Sequence, residues 1–211
     1  MSDGPTHDEA PEGVPEPDMD GLSKPERILV TAQRLFAETG HASLTVDAIA
    51  REAGVSRGLL HYYFGSMEDI LAQVVQRNAV TSLEAFGHVL RSATSRDDLV
   101  TALVSAFRHV LATQPSLYAL YYEAFVQSRV HDRVRDELAT LFQTRRSTLA
   151  EHLRFAEEQG VITLPAGAEV TAGLVIALAD GAALQYLSDP SMPVDEVHEA
   201  SHRLFDALFT G

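Results

Sequence analysis

Residues 45–64 read TVDAIAREAGVSRGLLHYYF. The stretch parses as a short helix, a turn holding a glycine, and a second short helix, which is the helix-turn-helix arrangement. Thr45 is a good N-cap, with Asp47 in the positive first turn. Val46, Ile49, Ala50 and Ala53 share one helix face. Ala50 is small enough to let two helices cross steeply at short range. Gly54 suits the left-handed residue of a tight turn. Ser56 caps the second helix. Val46, Ile49, Ala53, Val55, Leu60 and Tyr63 are expected to pack beneath. Ser56, Arg57, Gly58, His61 and Tyr62 then remain on the outer face. That face offers a cation, a bare backbone and polar ring tips, and suits phosphates and base edges in a major groove.

On the N-terminal side, Ser23-Lys24-Pro25-Glu26 fits a capping box with proline in the first turn. Ile28, Leu29, Ala32, Leu35 and Phe36 form the apolar stripe of that helix, and Gly40 is placed to end it. On the C-terminal side, Ser66 caps a fourth helix, with Glu68 and Asp69 near its positive end, running to about residue 93. Later helical patterns cover roughly 96–113, 116–129, 131–159, 168–188 and 194–209, with turn signals at Pro115, Asp189-Pro190 and Pro193. No segment alternates as a strand does. The expected fold is all-α with about nine helices: a three-helix helix-turn-helix unit followed by a larger helical domain. The expected division is an acidic tail over 1–22, the helix-turn-helix domain over 23–67, and the larger domain over 68–211.

The charge distribution bears on nucleic acid. The 211 residues carry 16 Lys and Arg against 30 Asp and Glu, a formal charge of −14. Residues 1–23 hold seven acids and no Lys or Arg, with four of the nine prolines, the composition of a disordered tail. Residues 24–67 are net +1 and residues 68–211 net −8. The segment expected to meet DNA is thus the only slightly basic one, and it predicts weak non-specific binding with a shallow salt dependence. Without cysteine there is no disulfide, no thiolate zinc site and no cysteine nucleophile. No apolar run approaches the roughly 18 residues of a membrane span and no signal peptide is visible, so a cytoplasmic protein away from the membrane is expected.

The stretch 25–71 resembles the N-terminal domain of the TetR (tetracycline-repressor-like) family of transcriptional regulators. IAREAGVSRG, the aromatic run ending at Phe64, and GSMEDIL all fall where the family pattern has them. The resemblance implies a homodimer on a pseudo-palindromic double-stranded operator, two recognition helices in successive major grooves, and a C-terminal domain that binds a small-molecule effector. It implies that Thr45 caps the second helix and touches a phosphate, and that Ser56, Arg57, Gly58, His61 and Tyr62 face DNA. Two positions depart from the pattern. His61 stands where the family usually has Tyr, and Met67 where it usually has a phosphate-binding Lys. Leu59 could meet a thymine methyl or pack. ALADGAALQYLSDP is similar to the penultimate helix of family members, where Asp180-Gly181 falls in the dimer-forming region.

In the larger domain, Phe107, Tyr118, Tyr121, Tyr122, Phe125, His152, Phe155 and Gln185 stand on otherwise apolar helices. They are candidates for an effector pocket, or core packing. Tyr118, Tyr121, Tyr122 and Phe125 follow helical spacing and make one stripe. For dimerisation, Leu174, Leu178, Gly181, Ala182 and Leu187 form one candidate surface, and Val197, Leu204, Phe205 and Leu208 another. Doubled by a two-fold axis they would give a four-helix bundle; alternatively the pair docks on its own chain's core. His198-Glu199-Ala200-Ser201-His202 matches the zincin pattern. Its sole downstream third ligand, Asp206, lies ~12 Å along the same helix from His198, so no metal, cofactor or catalytic residue is assigned. No phosphate loop or nucleophile elbow is present. The function expected is a ligand-responsive DNA-binding regulator, a repressor released by its effector. The alternatives are a helical ligand-binding or enzymatic protein with a structural helix-turn-helix, or a ligand-blind regulator or activator.

Overall fold

A computed structural model describes residues 19–39, 43–113 and 115–209, except the side chains of residues 20, 37, 78–86, 88 and 89. The acidic stretch 1–18 and Gly40 lie outside the described residues. The described chain is helical with no strand: α1 (Lys24–Thr39), α2 (Val46–Glu52), α3 (Arg57–Tyr63), α4 (Met67–Arg91), α5 (Arg96–Thr113), α6 (Pro115–Ser128), α7 (Asp132–Glu158), α8 (Ala168–Ser188) and α9 (Val194–Leu208). The expected capping is present. The Ser23 backbone N–H donates to the Glu26 carboxylate at 3.0 Å and its hydroxyl does so at 2.6 Å. Ser66 Oγ accepts from the Asp69 N–H at 3.1 Å. Pro115 begins α6 as well as ending α5, in keeping with its missing N–H and fixed φ at a first helical position.

Two apolar clusters organise the molecule. The first joins α1, α2 and α3 to the early turns of α4 and then to α6 and the first half of α7, with Ile28, Ile49, Leu60, Ile70, Leu71, Leu120 and Leu141 fully buried. Burying each such side chain is worth about 1.5–3 kcal/mol. This cluster crosses the expected boundary at residue 67 without a break, because Ile70, Leu71, Val74 and Val75 pack on it. The second cluster joins the end of α4, α5, the second half of α7, α8 and α9, around Leu99, Leu153 and Phe209. α7 runs through both, and its pairing with α4 is the most extensive helix contact among the described residues. Ion pairs tie α5 to α9 through Arg96–Asp206 at 3.3 Å and Arg108–Asp195 at 3.1 Å.

α8 corrects the expectation that no helix has membrane-span character. Its 21 residues are long and apolar enough to cross a membrane by length and composition, and the chain's own packing covers little of it. It carries Glu169 and Asp180 and packs on α6 and α7.

Candidate nucleic-acid interface and ligand cavity

In the helix-turn-helix unit, Thr45 Oγ1 accepts from the Ala48 N–H at 3.2 Å and Ser56 Oγ accepts from the Leu59 N–H at 3.2 Å. Both helices therefore begin where the side chains dictate. Gly54 has φ +65°, the left-handed conformation the turn was expected to need. Arg27 of α1, which sequence reasoning missed, closes this turn. Its Nη2 donates to the Ala53 carbonyl at 2.8 Å and lies 2.7 Å from where a Cβ on Gly54 would stand.

Thr45, Ser56, Arg57, Gly58, His61 and Tyr62 are all exposed, and Tyr62 is 80% exposed. Arg57 reaches back to Asp47 of α2 at 3.2 Å, and its Nε approaches His61 Nε2 at 3.5 Å. Nothing stands within 4 Å of a Cβ placed on Gly58, so a backbone could come close there. Tyr63, expected beneath, is instead 38% exposed; the buried anchor is Phe64, at the C-cap. Met67 is partly buried against the first cluster, where it packs as an apolar side chain. The first turn of α4 is held by the start of α7, through His131–Glu68 at 3.7 Å and an Arg133–Asp69 ion pair.

A cavity of about 140 Å³ opens where the two clusters meet, between α4, α5, α6, α7 and α8. Of the predicted ligand residues, Phe107, Tyr118, Tyr121 and His152 line it. The other four do not. Phe125 is 61% exposed and Phe155 41% exposed, each on the outer side of its helix. Gln185 is exposed and donates to the Gly181 carbonyl at 3.3 Å. Tyr122 turns its hydroxyl to the Asp180 carbonyl, and burial together with Asp180 pushes its pKa up to about 12.

Arg145, also missed from sequence, lines the cavity beside Thr148. It is paired two-to-two with the Asp180 carboxylate, at 2.8 and 3.0 Å. Its guanidinium lies 5.5 Å from the Tyr121 ring centre and 5.4 Å from that of Phe142. Asp180 therefore points into its own chain, while Gly181 stays partly exposed beside it.

His152 is buried and faces two ways. It lines the cavity, and its Nδ1 accepts from Arg91 Nε of α4 at 3.3 Å. Its Nε2 would stand 2.8 Å from a Cβ on Gly87, so glycine is what lets α4 approach this ring. Burial, then the Arg91 charge, lowers the His152 pKa.

The zincin-like residues scatter. His198 is buried edge-on to Phe107, ring centres 5.6 Å apart, with neither ring nitrogen hydrogen-bonded to a described residue. Burial, then Arg108, lowers its pKa. Glu199 is exposed. Among the described residues no group of three His, Asp or Glu side chains is placed to hold a metal.

The dimerisation candidates divide. Leu174 and Leu204 are exposed, and Val197 and Gly181 partly so. Phe205 and Ala182 are corrections, since both are buried in their own chain, Phe205 with its ring 6.1 Å from that of Phe209. Leu178 and Leu208 pack on the second cluster and Leu187 on the first. The reason is that α9 lays one face on α5, so its apolar residues serve two surfaces.

Residues 28–74 match the family described as bacterial regulatory proteins, tetR family, and residues 94–211 the tetracyclin repressor-like C-terminal domain. The chain is similar to the HTH-type transcriptional regulator UidR of Escherichia coli (strain K12), 24% identical over 155 residues, 74% of this chain and 77% of that protein. It is also similar in fold to a transcriptional regulator from Saccharomonospora viridis in complex with choline. There the TM-score is 0.74 and identity 24%, covering 89% of this chain and 97% of that one. A SmeT–triclosan complex gives a TM-score of 0.69 at 19% identity, covering 90% and 93%.

Proposed function

This chain belongs to the TetR family of transcriptional regulators, and from that premise we propose that it is a homodimeric repressor that leaves a pseudo-palindromic operator when a small molecule fills the cavity between α4 and α8. Thr45, Ser56, Arg57, Gly58, His61 and Tyr62 are the DNA-facing set, Arg57 supplying the charge and the Tyr62 and His61 tips the directional contacts. With Met67 turned to the core, the footprint is thin and non-specific affinity correspondingly weak. Val170, Leu174, Ala177, Gly181 and Leu184 recur at three- and four-residue spacing along the outer side of α8, and with Leu204 of α9 they form the face for a second copy.

The observation that carries the reading is the double contact of His152. One side of this ring belongs to the cavity and the other touches Gly87 and Arg91 of α4, whose first turn follows the recognition helix after Phe64-Gly65-Ser66. A ligand that displaces His152 moves α4, and with it the spacing of the two recognition helices, which shifts the population away from the DNA-competent state. The test is a mobility-shift titration on the DNA upstream of the protein's own gene. Wild-type dimer binds saturably and salt-sensitively. Gly87→Ala, which places a methyl against His152, changes operator affinity by about tenfold, and His152→Ala in the same chain returns it towards wild type. No binding at low salt would favour a ligand-binding protein that keeps the helix-turn-helix only as structure. Independent, additive effects of the two substitutions would break the His152 link.

A further inference from the structure

Of the described residues lining the cavity, Arg145 alone carries a fixed charge, and that charge is cancelled within the protein. Both terminal nitrogens of its guanidinium are taken by the Asp180 carboxylate, and Tyr121 and Phe142 hold the group from its faces. The guanidinium cannot turn to a new partner without breaking two charge-assisted bonds. A ligand carboxylate placed beside it would stand close to the Asp180 oxygens, and a ligand ammonium would face the guanidinium. Either ion would be stripped of water with no unpaired counter-charge to receive it, which is costly. The remaining polar groups of the described lining are neutral: the Tyr118, Tyr121 and Thr148 hydroxyls and the His152 ring. Burial raises the Tyr118 pKa, so its hydroxyl keeps its proton and can donate. Phe107 and several aliphatic side chains complete the wall. The volume, about 140 Å³, is close to that of engineered apolar cavities that accept a single benzene ring.

We propose that this cavity takes an uncharged, compact molecule of about one ring bearing a hydrogen-bonding group, and that pairing with Asp180 is what keeps the Arg145 charge from receiving an anion of the same size. The proposal deepens the reading of the cavity as the effector site and rests on it for its regulatory meaning.

The experiment is fluorine NMR on the full chain with three probes of nearly one size: 4-fluorophenol, 4-fluorobenzoate and 4-fluorobenzylammonium. The phenol is expected to bind at least about tenfold more tightly than either ion. Ala179→Phe, which fills the cavity, is expected to remove that binding. An ion that binds as tightly as the phenol, no phenol binding at millimolar concentration, or phenol binding unchanged by Ala179→Phe would each overturn the proposal. Asp180→Asn leaves the guanidinium charge uncompensated and is expected to improve 4-fluorobenzoate binding by about tenfold. An unchanged preference in that variant would remove the pair from the selectivity. If Asp180→Asn does not fold, Arg145→Leu with Asp180→Leu deletes both charges together and must keep the preference for the phenol; a switch to either ion would contradict the proposal. Phenol binding that leaves the operator complex intact would separate the two claims, sparing the ligand class and removing the effector role.

Discussion

Two arginines, each paired with an aspartate on another helix, show how differently the two ends of this molecule use the same chemistry. Arg57 meets Asp47 at a single 3.2 Å contact between side chains more than 60% exposed. Arg145 meets Asp180 through two contacts at the junction of the apolar clusters, with side chains 14% and 19% exposed. In water the first pair is worth little and can be exchanged for a phosphate or a guanine edge at small cost. The second cannot be exchanged, because its partners have nowhere else to find compensation. The helix-turn-helix end keeps its charge available, and the cavity end uses its charge up.

The largest effect that would sharpen this contrast is at the buried pair. Asp180→Leu strands Arg145 and should lower unfolding free energy by about 3–5 kcal/mol in urea titrations. A loss below about 1 kcal/mol would place the pair with ordinary surface bridges. Next, Gly54→Ala should cost about 1–2 kcal/mol from the left-handed backbone alone, with a further penalty from Arg27 Nη2 at 2.7 Å. Thermal melts of the two variants compare the rigidity of the turn with that of the cavity.

The histidines give a pH effect on the cavity side. His152, beside Arg91 and Glu151, and His198, beside Arg108, Asp195 and His202, both have pKa values below the ordinary 6.5. The unfolded chain then binds more protons than the folded one just below that value. Stability should hold above about pH 6.5 and fall as the pH drops from there through the folded-state values. His198→Phe should flatten that decline, and a wild-type profile level through this window would contradict the assignment. The smallest expected effect is Asp47→Ala, with less than about 1 kcal/mol of stability change by denaturation. The same change should strengthen operator binding, since Arg57 loses its competitor.

The helix-turn-helix was legible because its information is local. Thr45, Ser56 and Ser66 cap the helices that follow them, Gly54 marks the turn, and helical spacing assigns Ile49, Ala50 and Leu60 to the core. The cavity draws its walls from five helices, so spacing within one of them does not identify it. The stripe Tyr118, Tyr121, Tyr122, Phe125 was a real helix face, but spacing could not tell that Tyr118 and Tyr121 turn in while Phe125 stays out. Arg145 was not singled out, because its partner Asp180 lies on another helix. The available signal was its position four residues after Leu141 and four before Leu149, on the apolar side of α7. The α8–α9 candidates mixed two surfaces because periodicity identifies an apolar face without saying what covers it, as Phe205 and Leu204 illustrate.

The measurement that bears most directly on the DNA-facing assignment is the dissociation constant of wild type and of Arg57→Ala for one duplex selected by the wild-type protein. Both should be taken at the same salt concentration, with circular dichroism and sedimentation showing each to be folded and in the same oligomeric state. Loss of one good base-edge contact should weaken specific binding by about 1–3 kcal/mol per subunit, at least about tenfold overall, and relax the sequence preference at one base pair. Equal affinity and an unchanged preference in a folded Arg57→Ala protein would contradict the assignment of the 56–62 surface.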